Sequence, residues 1–367
     1  MKILVINAGS SSLKYKLFIG RKLQEDASGI IDRIGLPFSK AKTHQEAIEL
    51  VFKKIPQEID AIGHRVVHGG EKHIQPALIT PSLLKDIKKL STLAPLHNPA
   101  NLAGIRACRK LLPKIPQVAI FDTAFHSTIP EKTYRYALPE KFQKKHAIRR
   151  YGFHGTSHRY VTDQARKLLR KPGAKIITCH IGNGSSITAS QAGKSLDTSM
   201  GFTPLEGIAM GTRSGSIDPG IIFHLQNKLR MSAQKVEELL QNQSGLKALS
   251  GNSSDMRKIW ARAQKGNKKA LLTIEVLSYS IAKYIGAYTA TLNGVDAIVF
   301  TGGMGQRAHY VRKQTCDYFK FLGLKLDPHK NEADAETIST PRSKVKVFVI
   351  PTNEELQIAQ ETLKTIS

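Results

Sequence analysis

The stretch Ile176–Thr188, reading I-I-T-C-H-I-G-N-G-S-S-I-T, sets the tightest limit on how this chain folds. Apolar and β-branched residues, with His180 among them, run into Gly182-Asn183-Gly184, and Ser185–Thr188 then resumes an extended pattern. That order predicts a tight hairpin with exposed backbone amides. Two glycines, two hydroxyls and an imidazole at such a turn let a phosphate approach the main chain with no Cβ in the way. One glycine-rich turn says little alone. The N-terminus, however, repeats the order: Leu4-Val5-Ile6 runs through Asn7-Ala8-Gly9 and three serines into Leu13. The echo predicts two related halves, each holding one phosphate-cradling hairpin.

At 367 residues the chain exceeds one comfortable hydrophobic core, so two domains are expected. The first residues are too short an apolar run for a signal peptide. No run approaches the eighteen or so apolar residues of a membrane span. Three scattered cysteines, Cys108, Cys179 and Cys316, offer neither a disulfide framework nor metal-ligand spacing, which favours a reducing cytoplasm. Cys179, inside an apolar strand, reads as a small buried hydrophobe. The net charge of +26 raises nucleic-acid binding as a reading. Yet the lysines and arginines are dispersed, and Phe142, the lone aromatic of the Lys141–Arg150 group, makes no stacking platform. A solvated basic surface, suited to small anionic substrates, is the better account.

The periodicity predicts a helix over Thr43–Ile55 ending at Pro56, a strand over Ala61–Val67, and a helix from Pro81 to Leu90. Lys2–Ile6 and Leu13–Ile19 are expected to form the first hairpin, and the stretch that follows, up to Lys42, is weakly patterned. Asn98 with Pro99 reads as the cap of a helix reaching about Leu112. Gln117–Phe121 is a buried-type strand that ends in Asp122, where α/β proteins place chemistry, although an aspartate capping a turn fits as well. His154 sits beside Gly155 and close to Gly152, so little bulk shields its ring, and a structural histidine is the alternative. Arg213 lies in the glycine-rich loop Gly207–Gly220, where it suits either anion contact or a loop-bracing salt bridge. Lys268–Leu292 is apolar on most faces, as a helix buried between layers should be. Ala297–Thr301 is a strand feeding a third glycine-rich turn, Gly302-Gly303-Met304-Gly305, and the last strand, Val345–Ile350, precedes a C-terminal helix opened by Glu354 and Glu355.

Together these stretches resemble the acetate kinase family, within the superfamily of sugar kinases and actin-like ATPases. The likeness is carried end to end by N-A-G-S-S-S-L-K at Asn7–Lys14, H-R-V-V-H-G-G at His64–Gly70, P-L-H-N-P at Pro95–Pro99 and F-D-T-A-F-H at Phe121–His126. Y-G-F-H-G-T-S-H at Tyr151–His158, H-I-G-N-G at His180–Gly184, G-T-R-S-G at Gly211–Gly215, S-S-D-M-R at Ser253–Arg257 and T-N-E-E-L at Thr352–Leu356 extend it. The resemblance implies an α/β fold of duplicated ribonuclease-H-like domains with an interdomain active cleft. One domain would be 1–126 plus 356–367, on the acyl and magnesium side, and the other 127–355, on the nucleotide side. It further implies reversible transfer of the ATP γ-phosphoryl group to acetate, giving acetyl phosphate and ADP, with Mg²⁺ or Mn²⁺ in its place, in a cytoplasmic homodimer that engages neither nucleic acid nor membrane.

Carried onto this chain, the resemblance gives Asn7 and Glu354 to the metal and Lys14 to the nucleotide phosphates. His180, Ile181, Gly182, Asn183 and Gly184 would cradle phosphate. Asp255, Met256 and Arg257 would lie by the adenosine, and Gly303, Met304, Gly305, Gln306 and Arg307 would complete the nucleotide pocket. Arg65 would hold the acetate carboxylate, with His97 nearby, and Val67, Leu96, Phe153 and Pro204 would enclose its methyl group. Arg213 and His154 would neutralise the transferred phosphoryl oxygens, and Asp122 is the family's acid/base residue. Physical chemistry favours a different task for Asp122: acetate is already ionised at neutral pH, so no base need act before attack, and the carboxylate is expected to orient an arginine or a metal-bound water. Gln306, Arg307 and Ser216 depart from the family's usual Glu, Asn and Asp, and the segment between Ile19 and His64 is short. Two other readings remain: a propionate kinase, since one methylene discriminates only weakly, and a non-catalytic actin-like nucleotide-binding protein.

Overall fold

The computed structural model describes every residue except Ser10, Pro56, Gln57 and Leu96. The expected Pro56 helix stop, the middle of the first hairpin turn and the Leu96 pocket wall therefore lie outside the described residues. The chain divides into two compact units, one of residues 1–127, 153–160 and 353–367, the other of residues 128–152 and 161–352.

The first unit holds β1 (Lys2–Ala8), β2 (Ser12–Ile19), β3 (Gln24–Asp32), β4 (Ala61–Val66), β5 (Ala77–Leu78) and β6 (Gln117–Phe121), in the sheet order β3-β2-β1-β4-β6-β5. β1 is antiparallel to β2 and parallel to β4, and β4 is parallel to β6. The second unit holds β7 (Lys175–Ile181), β8 (Ser185–Gln191), β9 (Lys194–Thr198), β10 (Ala297–Thr301) and β11 (Lys346–Val349), ordered β11-β10-β7-β8-β9. β7 is antiparallel to β8 and parallel to β10, which is parallel to β11. Apart from the short β5, both sheets therefore repeat one plan: three antiparallel strands and then two added parallel to the first. The repeated hairpin of the sequence marks the start of each copy.

Both faces of the first sheet are covered, and the period-2 alternation of β1 shows how. Leu4, Ile6 and Ala8 join Ala47, Ile48, Val51, Ala107 and Cys108 in one buried cluster, beneath helices His44–Phe52 and Asn98–Leu111. Ile3 and Val5 join Val118, Ile120, Ile358 and Ala359 in another, beneath the last helix, Glu354–Ile366. In the second unit, Ile274, Leu277, Ile281 and Ile285 of the helix Lys268–Thr291 meet Ile177, Cys179 and Ile187 of the sheet. Against the expectation that no run approaches a membrane span, that helix is by length and hydropathy alone long and apolar enough to cross one; its inner face belongs to this core.

Three local readings change. The weakly patterned segment before Lys42 contains β3, an outer strand whose residues are mostly solvent-accessible, so it lacks the apolar alternation that marks a strand. Asn98 does not cap its helix: the cap position is His97, without a side-chain cap bond, while Asn98 is turned onto the main chain of His68. The third glycine-rich turn is itself a short helix, Gly302–Arg307, followed by a second, His309–Asp317. Gly302 takes a left-handed φ of +76°, and a Cβ there would meet the Ile181 carbonyl oxygen at 2.7 Å, which only glycine avoids.

Candidate active site

In the first unit, the parallel strands β1, β4 and β6 end beside one another, and the carboxyl ends of parallel strands are where α/β folds gather polar chemistry. Asn7 lies near the end of β1, Arg65 near the end of β4 and Asp122 immediately after β6. The Arg65 guanidinium links them. Its Nε donates to Asp122 Oδ1 at 3.2 Å, its Nη2 donates to Asp122 Oδ2, and its Nη1 donates to Asn7 Oδ1 at 3.3 Å. Glu354, first residue of the last helix, brings Oε2 to 3.7 Å from Arg65 Nε.

Burial opposes the charge on Arg65, but Asp122 and Glu354 outweigh it and hold the guanidinium firmly protonated. Burial raises the carboxyl pKa of Glu354, with Arg65 pulling the other way and Asp122 adding to the rise. Two carboxyl groups thus share one arginine, and a cation beside Glu354 would favour its ionised form. Among the described residues no group of three His, Cys, Asp or Glu could hold a metal by itself. Mg²⁺ does not require one, since it keeps several waters and binds through one or two carboxylates plus substrate phosphates. The hard oxygen donors of Asn7 and Glu354 fit it.

Several supports were not visible in the sequence. Thr156 Oγ1 donates to Asp122 Oδ1 at 2.9 Å, and the Gly155 amide donates to the Asp122 carbonyl at 3.0 Å. Asn101 accepts from the Val67 amide at 3.0 Å and donates to the Ala8 carbonyl at 2.6 Å, tying β1 to β4 at the site. An asparagine in a helix gives no local hint of this, because its partners lie 34 and 93 residues away. Val67 and Phe153 are buried, and the Phe153 ring meets that of His68 edge-on at 5.7 Å. His126, whose ring nitrogen lies 3.0 Å from the Phe153 carbonyl oxygen, is pushed down to about 4, mainly by burial. His154 adopts a left-handed φ of +56° and is partly exposed, as is His97, while Lys14 is exposed on β2 opposite Asn7.

In the second unit a cavity of about 450 Å³ is lined by Gly182, Asn183, Asp255, Met256, Arg257, Gly303, Met304 and Arg307, all expected from the sequence, and by Ser254, Ala308 and Tyr310, which were not. Tyr310 stacks on Trp260 at 3.9 Å, and its hydroxyl donates to the Met256 carbonyl at 3.2 Å. Only tertiary packing pairs those rings. Asp255 caps the helix Met256–Ala263 and grips Arg257 through two contacts, at 3.0 and 2.8 Å.

His180, Ile181, Gly184, Gly305 and Gln306 do not line this cavity. Nor is every amide of the β7–β8 turn open, since the Gly182 amide donates to Ser185 Oγ at 3.1 Å. Gly211, whose amide donates to the Asn183 carbonyl, leaves no room for a Cβ beside the Asn183 side chain. Arg213 is less open than its glycine-rich context suggests: it is half-buried, and its Nη1 reaches the Pro204 carbonyl at 3.4 Å. Among the described residues it has no carboxylate partner, so the loop-bracing salt bridge is not formed, and burial lowers its pKa.

The comparisons with known proteins point the same way as these two clusters. The Acetokinase family model matches residues 2–360. An acetate kinase of Carboxydothermus hydrogenoformans is 51% identical over the whole of this chain and 99% of its own, and one of Thermotoga maritima is 50% identical with the same coverage. The crystal structure of Porphyromonas gingivalis acetate kinase superposes with a TM-score of 0.94 at 44% identity, covering 100% of both chains. That of a Francisella tularensis propionate kinase gives 0.94 at 43%, covering 99% of each. A Listeria monocytogenes protein described as a putative N-acetylmannosamine kinase, 11% identical with a TM-score of 0.51, shares the fold alone. A match that runs nearly the length of the chain, with half its residues identical to full-length relatives, leaves one assignment: the chain belongs to the acetokinase family.

Proposed function

We propose that the protein catalyses the reversible transfer of the ATP γ-phosphoryl group to acetate, giving acetyl phosphate and ADP. The observation that carries the reading is Arg65, a permanently charged fork held by Asp122 at the end of β4 in a chain half identical to acetate kinases. Such a fork matches a carboxylate bidentately. Phosphoryl transfer asks chiefly for positioning and charge stabilisation, because its loose transition state spreads charge over three oxygens. Arg65 would hold the acid, with His97 beside it and Val67, Leu96, Phe153 and Pro204 around its alkyl group. Arg213 and His154 would meet the phosphoryl oxygens, and Lys14 and the His180–Gly184 turn the nucleotide phosphates. The 450 Å³ cavity would take the nucleoside. Asn7 and Glu354 would hold Mg²⁺, which when bound neutralises phosphate charge.

In this assignment Asp122 orients Arg65 and takes no proton from acetate. Its two oxygens already receive Arg65 and Thr156. We assign the partner as a second copy of the chain. Helix Pro219–Asn227 has no buried residue yet carries Ile221 and Phe223, the latter 62% exposed, which is the composition of a covered face. The three cysteines are buried free thiols, in keeping with a reducing cytoplasm.

The test is ADP and acyl phosphate formation from ATP with acetate, propionate and butyrate, with and without magnesium. Acetate should be phosphorylated only with the metal, and Arg65→Ala should abolish it. Absence of acyl phosphate with every acid would end the reading. Propionate kinase is the second reading, favoured by the 43% identical propionate kinase structure, and it predicts propionate as the faster acid.

A further inference from the structure

The second unit contains another cavity, about 480 Å³, that the proposed transfer does not use. One helix borders both. Ala308 and Tyr310, at its start, line the nucleotide-side cavity, whereas His309, Lys313, Cys316 and Asp317, spaced along one helical face, line the other. Across from that face stand Leu324, Lys325 and Leu326 and the short helix Pro328–Glu332.

Its floor is apolar, with Leu324, Leu326, Cys316 and Pro328, and its volume suits a small organic ligand. The charged residues lining it are Lys313, Lys320 and Lys325 against Asp317 and Glu332, an excess of one positive charge. Asp317 is already engaged by Lys313 and Lys320, each at 3.0 Å. Lys325 is exposed and has no acidic partner among the described residues. An apolar floor beside such an ammonium group is complementary to a molecule with a hydrocarbon body and one anionic end.

The same cavity touches a chain of contacts, buried at Arg312 and exposed at Arg307, that ends in the nucleotide-side pocket. Asn331 lines the cavity, and its Oδ1 accepts from Arg312 Nε at 2.8 Å. Arg312, fully buried, donates from Nη1 to the carbonyls of Gly305 and Gln306 at 2.9 and 2.6 Å. Asp334 accepts from Arg312 at 2.7 Å and from Arg307, which lines the nucleotide side, at 3.2 Å. The helix Gly302–Arg307 is therefore fastened at its end by an arginine that Asn331 holds.

We propose that this second cavity binds a small organic anion with an apolar body, of the medium-chain carboxylate class, and that its occupancy strengthens nucleotide binding through Asn331 and Arg312. A ligand that fixes the Pro328–Glu332 helix restrains Arg312, and with it the Gly302–Arg307 helix, so the nucleotide has less to order when it binds. Only the identity of the second ligand, the nucleotide, rests on the kinase reading.

Octanoate is the probe, with octanol and octylamine as controls, titrated calorimetrically into the full-length protein without nucleotide. We expect one saturable octanoate site that persists in Arg65→Ala, with octanol weaker by about fivefold, as loss of one partly solvated charge contact implies. Leu326→Trp, which fills the cavity, should abolish binding, and Lys325→Glu should weaken it, both with wild-type turnover when octanoate is absent. Saturating octanoate should lower the Kd for ADP by about fivefold or more, and ADP should tighten octanoate by the same factor. The proposal is overturned if no saturable site appears, if octanol binds equally, if Leu326→Trp and Lys325→Glu both bind as wild type, or if ADP affinity does not move. Loss of binding in Arg65→Ala would place octanoate at the acyl site and equally overturn it, as would a change of oligomeric state in Leu326→Trp, which would mark the cavity as a protein interface. Because octanoate binding is read without turnover, a protein inactive on acetate still decides the matter.

Discussion

Arg65 and Asp122 form a two-contact ion pair at the ends of adjacent parallel strands, with Nε 3.2 Å from Oδ1 and Nη2 on Oδ2. Asp122 is 1% exposed and is also reached by Thr156. A carboxylate so engaged fixes the plane of the guanidinium, and in the proposed function that plane would set where acetate lies.

Asp122→Asn should therefore lower kcat by about 10²–10³, the cost of misplacing one transition-state contact, and raise KM for acetate. Steady-state kinetics between pH 6 and 9 checks this. The residual activity should keep the wild-type pH dependence, whereas loss of a single ionisation near neutrality would make Asp122 an acid/base group.

Val67 is buried beside the site, its amide fixed by Asn101. Trimming it to alanine leaves the backbone contact and adds room for one methylene, worth about 1–3 kcal/mol in an apolar pocket. The ratio of kcat/KM for propionate over acetate should rise in Val67→Ala; an unchanged ratio would remove Val67 from the acyl pocket.

Gly155 has no space for a side chain, since a Cβ would overlap the Asp122 carbonyl oxygen and crowd Phe125. Gly155→Ala should destabilise the protein by about 1–3 kcal/mol, the usual cost of overpacking. Because Asp122 must move, turnover should fall further than stability explains. Urea unfolding and kcat measured on one preparation separate the two effects.

Asp197 is largely buried near Arg150 and Glu206, and desolvation, against the pull of Arg150, raises its carboxyl pKa to about 6. An acid whose folded pKa lies above its unfolded value favours the neutral form in the fold. Its contribution is complete below the unfolded value, near 3.8, and is lost as pH rises through about 6. Asp197→Asn should thus be stabilising at pH 7.5, by about 1–3 kcal/mol, and close to neutral at pH 4. Denaturant midpoints at the two pH values give the answer; a larger gain at pH 4 would reverse the sign.

Phe223, exposed on a helix with no buried residue, should be covered by a second copy. Phe223→Glu should convert a dimer to monomers in sedimentation velocity, because one unpaired charge at an apolar contact costs several kcal/mol. If the wild type sediments as a monomer, the assigned interface falls.

Much of this architecture is written locally. The Gly182-Asn183-Gly184 turn, its N-terminal echo, the strand Ala297–Thr301 and the caps Thr43, Asp218 and Asp255 are all choices made within a few residues, where backbone sterics and short-range hydrogen bonds decide the conformation. The sequence by itself therefore determined the two copies of the sheet, and the motifs named eight of the eleven residues that line the 450 Å³ cavity of the second unit. What it left open depends on partners far along the chain. β3 became a strand because β2 offered it a ladder, Asn98 left its cap for the main chain of His68, and Tyr310 entered the pocket because Trp260 supports its ring. Tertiary structure alone decided that Asp122 faces Arg65 across 57 residues of sequence, and that Arg312 stands between Asn331 of one cavity and, through Asp334, Arg307 of the other. The reason is physical: a buried charge is stable only where the fold supplies its counter-charge and hydrogen bonds, and no local pattern records where those will come from.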